Sequence, residues 1–430
     1  MRNKRRWVLS WIAGGLATTA LYACATSGDT LPGDDPDAAD PSADASRDGT
    51  FLDTGTKTDT GTDAGNDAKA DAPIDAPVDA PKDVFEAGPS PFDEAGTFMV
   101  VRVGQAGGAA LSAASVAAFI EERRFKDGVV EQTIALPTAA AAPQHALTLR
   151  GTGTTEGTLS RSDDGAFVVL AGYDAPPGTA SVATTTAATV ARVVGRVTKA
   201  GVVDTSTALT GAYDEASPRA AATADGTAFW VSGDNGTGNT GGIYYAELGQ
   251  GGLQIFDTPG NLRAVGVFGA QLYATTQSGA AGNTLRLFAV GTGTPTTAGQ
   301  TGTQLAGIPD TVTPHGLVLL DRDPGVAGVD TLYAADTRAL TAGGGIQKWK
   351  LGAGGTWTLV TTFKKGLTGA PVNVAAKPIG TSVAVVCATL DNPSKIVRFL
   401  DDGVALDPTG TTLGTAASPT QFRGVAITPD

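Results

Sequence analysis

The chain has 430 residues, 58 of them glycine, with 6% aromatic side chains, 17% charged ones and a formal net charge of −13. That length suits one large all-β domain or two smaller ones, and an acidic chain without a basic stripe interleaved with aromatics argues against a nucleic-acid partner. The acidity is localised. Residues 25 to 97 hold 18 Asp or Glu against four Lys or Arg, residues 1 to 24 hold four basic residues and no acidic one, and the remainder carries 25 acidic and 22 basic residues.

At the N-terminus Arg2, Lys4, Arg5 and Arg6 form a basic region, Trp7 to Ala20 an apolar one, and Leu21-Tyr22-Ala23-Cys24 closes it. The apolar run is shorter than the ~20 residues of a membrane-spanning helix and ends in small residues, the layout of a cleaved export signal over residues 1–23. The LYAC tetrapeptide resembles the lipobox of bacterial lipoproteins, with Tyr22 its one unusual member. The resemblance implies a diacylglycerol group on the sulfur of Cys24, which becomes the new N-terminus. Because Ala25 rather than Asp follows, it also implies the outer membrane of a Gram-negative cell. An ordinary secretory signal with a chance cysteine is the alternative. Arg5-Arg6-Trp7-Val8-Leu9 leaves export by the twin-arginine route open beside the general one.

Residues 24–96 read as a tether. They are Asp, Ala, Thr, Pro and Gly with hardly any large apolar side chain, so burial cannot offset the entropy of ordering them. In Asp71-Ala-Pro-Ile-Asp-Ala-Pro-Val-Asp-Ala-Pro-Lys-Asp83 a proline every fourth residue favours extended polyproline II geometry while the aspartates repel one another. At roughly 3 Å per residue such a segment holds a body on the order of 100 Å from a membrane. An EF-hand reading fails, since the Gly at position six and the Glu at position twelve of such a loop are missing.

The body, 97–430, opens on a repeat. Lys126-Asp-Gly-Val-Val-Glu-Gln-Thr-Ile-Ala-Leu136 recurs as Lys199-Ala-Gly-Val-Val-Asp-Thr-Ser-Thr-Ala-Leu209, each a glycine turn followed by an alternating strand. The comparison also assigns Ala117 to Phe125 to a strand despite its helical propensity, because its counterpart before Lys199 is the β-branched run ARVVGRV. A second unit, with a charged residue, a small residue, a strand, a turn and another strand, occurs at Glu156 to Gly172, Pro218 to Gly233, Leu262 to Thr276, Pro314 to Asp336 and, more loosely, Ala370 to Leu390. Two further short strands follow each. Four antiparallel strands at about 45 to 70 residues is the signature of β-propeller blades.

Phe422 to Asp430 looks like a first blade strand with nothing after it, and Gly96 to Gly104 like a second strand lacking its first. Pairing them removes two exposed edges and closes a ring of six blades, or seven if Ala146 to Gly151 belongs to another. The body thus resembles a group of bacterial extracellular propeller proteins of unassigned function. The resemblance covers Phe98 to Asp430 and implies a surface location without a reaction. WD dipeptides and kelch double glycines are not found at blade spacing.

Several motifs are set aside. Gly236-Thr-Gly-Asn-Thr-Gly241 matches a dinucleotide fingerprint, yet an alternating strand follows it where a helix is required. No G-x-S-x-G elbow occurs, and His145 and His315, the only histidines, cannot build a multi-histidine metal site. Cys387 lies in an apolar run and reads as a buried small hydrophobe.

One constellation survives. Glu156, Arg219, Arg263, His315 and Arg423 stand at equivalent starts of the innermost strands, each followed by Gly or Ala, so a propeller brings them to one funnel. Arginine forks suit carboxylate or phosphate, which makes the five candidate ligand-binding residues for an anionic small molecule, polysaccharide or protein. The competing expectation is that they only hold the blades in register. Asp321, Asp323 and Asp330 form a second, weaker candidate, for calcium; no other cofactor is expected. The leading function is therefore a lipid-anchored, monomeric binding or scaffold module at the cell surface. The alternatives are a metal-assisted hydrolase or lactonase-like propeller, against which the single acidic channel residue counts, and a quinone-dependent dehydrogenase, which needs more than Trp230, Trp349 and Trp357 in the body.

Overall fold

The computed structural model describes residues 90–279 and 283–430. Six four-stranded antiparallel sheets account for nearly all of the regular structure. From the innermost strand outward, blade 1 contains Gln421–Ile427, Thr97–Val103, Ala118–Arg124 and Val130–Ala135, and blade 2 contains Ser160–Arg161, Phe167–Tyr173, Arg192–Thr198 and Val203–Leu209. Blade 3 is Pro218–Ala222, Ala228–Gly233, Ile243–Glu247 and Leu253–Phe256; blade 4 is Val265–Phe268, Gln271–Thr275, Leu287–Val290 and Gly302–Gln304. Blade 5 is Pro314–Leu320, Thr331–Asp336, Gly345–Leu351 and Trp357–Phe363; blade 6 is Pro371–Ile379, Ser382–Thr389, Lys395–Asp401 and Thr411–Thr415. The innermost strands neighbour one another cyclically, blade 6 against blade 1, so the chain is an all-β, six-bladed propeller.

The ring closes as the truncated end units require, with Phe98 opposite Ile427, Val100 opposite Val425 and Arg102 opposite Phe422. The seventh-blade alternative fails. Of its segment only Leu149–Arg150 is a strand, paired with Ser115–Val116 in a two-stranded ribbon outside the blades. Both copies of the first repeat are the turn into the outermost strand of a blade, in blades 1 and 2, and Ala118–Arg124 is a strand. Ser90 to Gly96, assigned to the tether by composition, instead contain a helical turn, Pro91–Ala95, capped by Ser90 through a reciprocal bond pair with Asp93. This turn buries Ala95 in the apolar layer shared by blades 6 and 1.

Those apolar layers hold the blades together. A strand in a blade has both faces covered by neighbouring blades, so alternate residues feed two cores. In Phe167–Tyr173, Val168 and Leu170 pack with Met99 and Ile120 of blade 1, while Val169 and Ala171 pack with Ala221 and Phe229 of blade 3. Trp230, Trp349 and Trp357 belong to one cluster running from blade 3 to blade 5, so they are core side chains. Gly236 to Gly241 form a loop between two strands of blade 3.

Candidate functional site

Innermost strands begin with an irregularity that aims one side chain out of the regular alternation. The strand pairing skips between Pro218 and Ala220 in blade 3, between Pro314 and Leu317 in blade 5, between Pro371 and Asn373 in blade 6, and between Phe422 and Val425 in blade 1. Arg219, His315 and Arg423 sit in three of these bulges, which redirect side chains in this way. The small residue behind each is a packing requirement where blades crowd. A Cβ on Gly424 would run into the Leu159 amide nitrogen and the Gly157 carbonyl oxygen, and one on Gly316 into the Asn373 backbone.

Glu156, Arg219, His315 and Arg423 are all at least 96% buried, and Arg263 is half-buried. Their bonds run from each blade to the segment entering the next. Arg423 donates to the carbonyls of Arg150 (2.9 Å) and Gly151 (2.8 Å) before blade 2. Glu156 accepts from the Ser217 hydroxyl at 2.8 Å and lies 3.7 Å from the Arg150 guanidinium. Arg219 donates to the Leu262 carbonyl at 2.7 Å and to the Asn261 side chain, and pairs with Asp234 at 2.7 Å. From blade 4 to blade 5, Thr275 donates its hydroxyl hydrogen to the His315 carbonyl at 2.6 Å. From blade 6 to blade 1, Asn373 Oδ1 accepts from the Val425 amide at 2.7 Å. Asn373, 97% buried, is the sixth member of this ring. The sequence reading missed it because blade 6 opens with Pro-Val-Asn, which places its polar side chain one residue later than in the other units.

These contacts leave buried donors over. Arg219 Nε, Arg263 Nε, and Arg423 Nε and Nη1 have no hydrogen-bond partner among the described residues, while the His315 ring faces the Val372 backbone of blade 6. Buried polar atoms are nearly always paired, and here four unpaired guanidinium nitrogens lie in one ring. Burial, reinforced by Arg263 and Arg219, pushes His315 down to about 3, so the ring is neutral at ordinary pH. Burial likewise pulls Arg219 and Arg423 down to about 10, which leaves both charged at pH 7. The four guanidiniums of Arg150, Arg219, Arg263 and Arg423 thus face the carboxylates of Glu156 and Asp234.

Immediately beyond the ring the axis opens into a cavity of ≈ 210 Å³ lined by Thr158, Ala264, Leu317, Asn373, Val425 and their successors along the innermost strands.

The aspartate candidate does not form a cation cluster. Asp330 accepts the amides of Arg322 and Asp323, each at 2.7 Å, and the Thr331 hydroxyl at 2.6 Å. Asp323 pairs with Lys350 at 3.0 Å, and Asp321 is exposed. No group of three or more His, Cys, Asp or Glu side chains disposed to hold a metal occurs among the described residues. The carboxylates organise their loop through its own amides and hydroxyls. Cys387 is fully buried, and burial pushes its thiol up to about 12. Cys24 and the export signal lie outside the described residues.

No protein-family model and no curated protein sequence matches the chain. Solved structures resemble it at low identity. A Bacteroides fragilis protein proposed to be a 6-phosphogluconolactonase is 14% identical, with a TM-score of 0.41 over 77% of this chain and 84% of its own. TolB from Acinetobacter baumannii is 13% identical, with a TM-score of 0.46 over 80% of this chain and 68% of its own. The periplasmic gluconolactonase PpgL of Pseudomonas aeruginosa is 11% identical, with a TM-score of 0.39 over 75% and 83%. These are propeller proteins, and the likeness concerns the fold alone.

Proposed function

We propose that the chain is a binding module, exported and held at the outer membrane by a lipid on Cys24, whose propeller takes up an anionic group at the ring of Glu156, Arg219, Arg263, His315, Asn373 and Arg423. The observation that carries this reading is the set of four buried, unpartnered guanidinium nitrogens on Arg219, Arg263 and Arg423. Arg423 uses Nη2 on the strand-end carbonyls of Arg150 and Gly151 and keeps Nε and Nη1 free among the described residues. An anion supplies acceptors to several of these nitrogens together and gains from their charge. A hydrolytic channel is disfavoured, because its metal needs clustered carboxylates or imidazoles and the ring offers two carboxylates, each already beside an arginine, and one imidazole.

Ligand binding to the native state raises stability by mass action, about 2.7 kcal/mol at a hundredfold excess over the dissociation constant. A thermal-shift screen of carboxylates, phosphates and uronic acids checks the reading: a stabiliser whose effect fades with salt and with Arg263→Ala supports it, and a screen without one removes it. Labelled palmitate checks the anchor separately, since label that persists in Cys24→Ser contradicts the lipidation.

A further inference from the structure

Resting on the reading of the ring as an anion site, we propose that the ligand is a small anionic amphiphile, a carboxylate on a short apolar body, that sets its charge at the ring and threads its body along the propeller axis. Three observations converge on this. First, the axial cavity starts one or two residues past the ring in each blade that lines it: Thr158 after Glu156, Ala264 after Arg263, Leu317 after His315, Val425 after Arg423, with Asn373 itself in the wall. Head-group site and cavity are therefore contiguous.

Second, about half of the cavity wall is apolar, with Thr158, Ser160, Ser162 and Asn373 among its polar members. Val265, Leu317, Val374, Ala375, Val425 and Ile427 contribute to the apolar half. At ≈ 210 Å³ it is smaller than the ~300–1,000 Å³ of sites for drug-sized ligands, which excludes an acidic oligosaccharide from the axis and suits a chain of a few carbons or a single ring. Apolar burial there adds affinity that a bare anion or a hydroxylated uronic acid lacks.

Third, the axis is electrically polar. At the far end of the cavity Arg161 pairs with Asp430 at 2.7 Å. Asp163 accepts the amides of Gly269 and Ala270, each at 2.9 Å, and Asp164 accepts the Ser162 hydroxyl at 2.6 Å. That end sets Arg161 and Lys377 against Asp163, Asp164 and Asp430, whereas the ring sets four guanidiniums against two carboxylates. An anion is drawn to the ring and repelled by the opposite mouth, which orients an amphiphile in one sense only.

The test is a calorimetric series on the purified protein with acetate, butyrate, hexanoate and octanoate, and with glucuronate, inorganic phosphate and hexan-1-ol as comparators. The expected result is a dissociation constant that falls about fourfold per added methylene until the cavity is full, no measurable hexanol binding, and about tenfold or greater weakening of hexanoate by Arg263→Ala. Ala375→Leu, which narrows the cavity, should weaken octanoate while leaving acetate unchanged. If that variant fails to fold, the chain-length series in the unaltered protein decides alone. A flat series with glucuronate or phosphate bound through Arg263 overturns the amphiphile and leaves the anion ring standing. Hexanol binding as tightly as hexanoate overturns the orientation by charge. Failure of every anion to bind overturns both this inference and the ring reading beneath it.

Discussion

Thr97, which gives its own hydroxyl hydrogen to Glu122 at 2.6 Å, accepts a hydrogen bond from the Thr428 hydroxyl at 2.9 Å, joining two side chains 331 residues apart in sequence. The bond lies at one end of the seam that closes the propeller, where Gln421–Ile427 supplies the innermost strand of the blade that Thr97–Val103 continues. Deleting residues 421–430 exposes the edge of Thr97–Val103 and uncovers Phe98, Val100 and Val372, which share an apolar layer with Phe422, Val425 and Ile427. We expect aggregation or the loss of a single cooperative transition. Calorimetry of the truncated protein checks this, and an unchanged melting profile contradicts closure at this seam.

Crowding at the axis makes a sharper prediction. Gly424 has no room for a methyl group, because the obstructing atoms belong to the Gly157 and Leu159 backbone and cannot swing aside. Gly424→Ala should cost about 1–3 kcal/mol through overpacking alone. Gly354, where an added Cβ meets nothing within 4 Å, provides the control: Gly354→Ala should leave stability within ~0.5 kcal/mol. Equal denaturation midpoints for the two variants would contradict the close approach of blades 1 and 2.

Cys387 reports on opening of blade 6. It is fully buried in Ser382–Thr389, the second strand of that blade, and its thiol is pushed up to about 12. Since the thiolate is the reactive species, Cys387 in the Cys24→Ser protein should resist an aromatic disulfide reagent under native conditions and react fully in denaturant. Rapid labelling of the native protein would place this strand at the surface.

His315 makes the acid limb of the stability curve distinctive. Its folded value of about 3 lies below its ordinary 6.5, first through burial and then through Arg263 and Arg219. Between those two values the unfolded chain binds a proton that the native state refuses, so stability is complete above about pH 6.5 and falls as the pH drops toward 3. The slope approaches about 1.4 kcal/mol per pH unit for one proton. Carboxylates held low, such as Asp225 under the Thr227 hydroxyl, act in the same direction but only below their ordinary 3.8. Chemical denaturation from pH 7 to pH 4.5 should therefore show a slope in the native protein that His315→Gln removes. Parallel slopes would mean that His315 is solvated and titrates normally.

The fold was legible because each blade repeats the same problem, four short strands that turn on glycine, and because the chain ends hold complementary fragments of one unit. The two outer strands of blade 4 follow from the repeat, but their positions, Leu287–Val290 and Gly302–Gln304, were not legible: strands of four and three residues flanked by Gly, Thr and Pro carry no alternation to detect. Arg219, Arg263, His315 and Arg423 were found from a charged residue preceding a small one. That signal marks the bulge where a side chain is redirected and the next must be small, and it fails at Val372-Asn373, which has no small residue. It also says nothing about bonding, which depends on the neighbouring blade. Asp174, Asp234, Asp336 and Asp391 end or follow the second strands of blades 2, 3, 5 and 6 and accept bonds from His145, Arg219, Thr313 and Thr368. They are a second set of equivalent positions that chain order alone did not bring together.

Arg219 and Arg263 separate the two roles open to the ring. Arg219 is committed to structure: it donates to the Leu262 carbonyl and the Asn261 side chain and pairs with Asp234. Arg219→Ala leaves a carbonyl and a carboxylate without their partner and should cost about 2–4 kcal/mol. Arg263 stands in the same ring, its Nε buried and unpartnered, with Asp234 the one charge that favours its protonated form. Removing it takes away like-charge repulsion from Arg219 as well as any attraction to Asp234. Arg263→Ala should therefore shift intrinsic stability by less than ~1 kcal/mol while abolishing stabilisation by an anionic ligand. Urea denaturation with and without hexanoate measures both quantities in one experiment. If Arg263→Ala loses as much stability as Arg219→Ala and no ligand effect is present to lose, the ring holds the blades in register and the axis has no anion to bind.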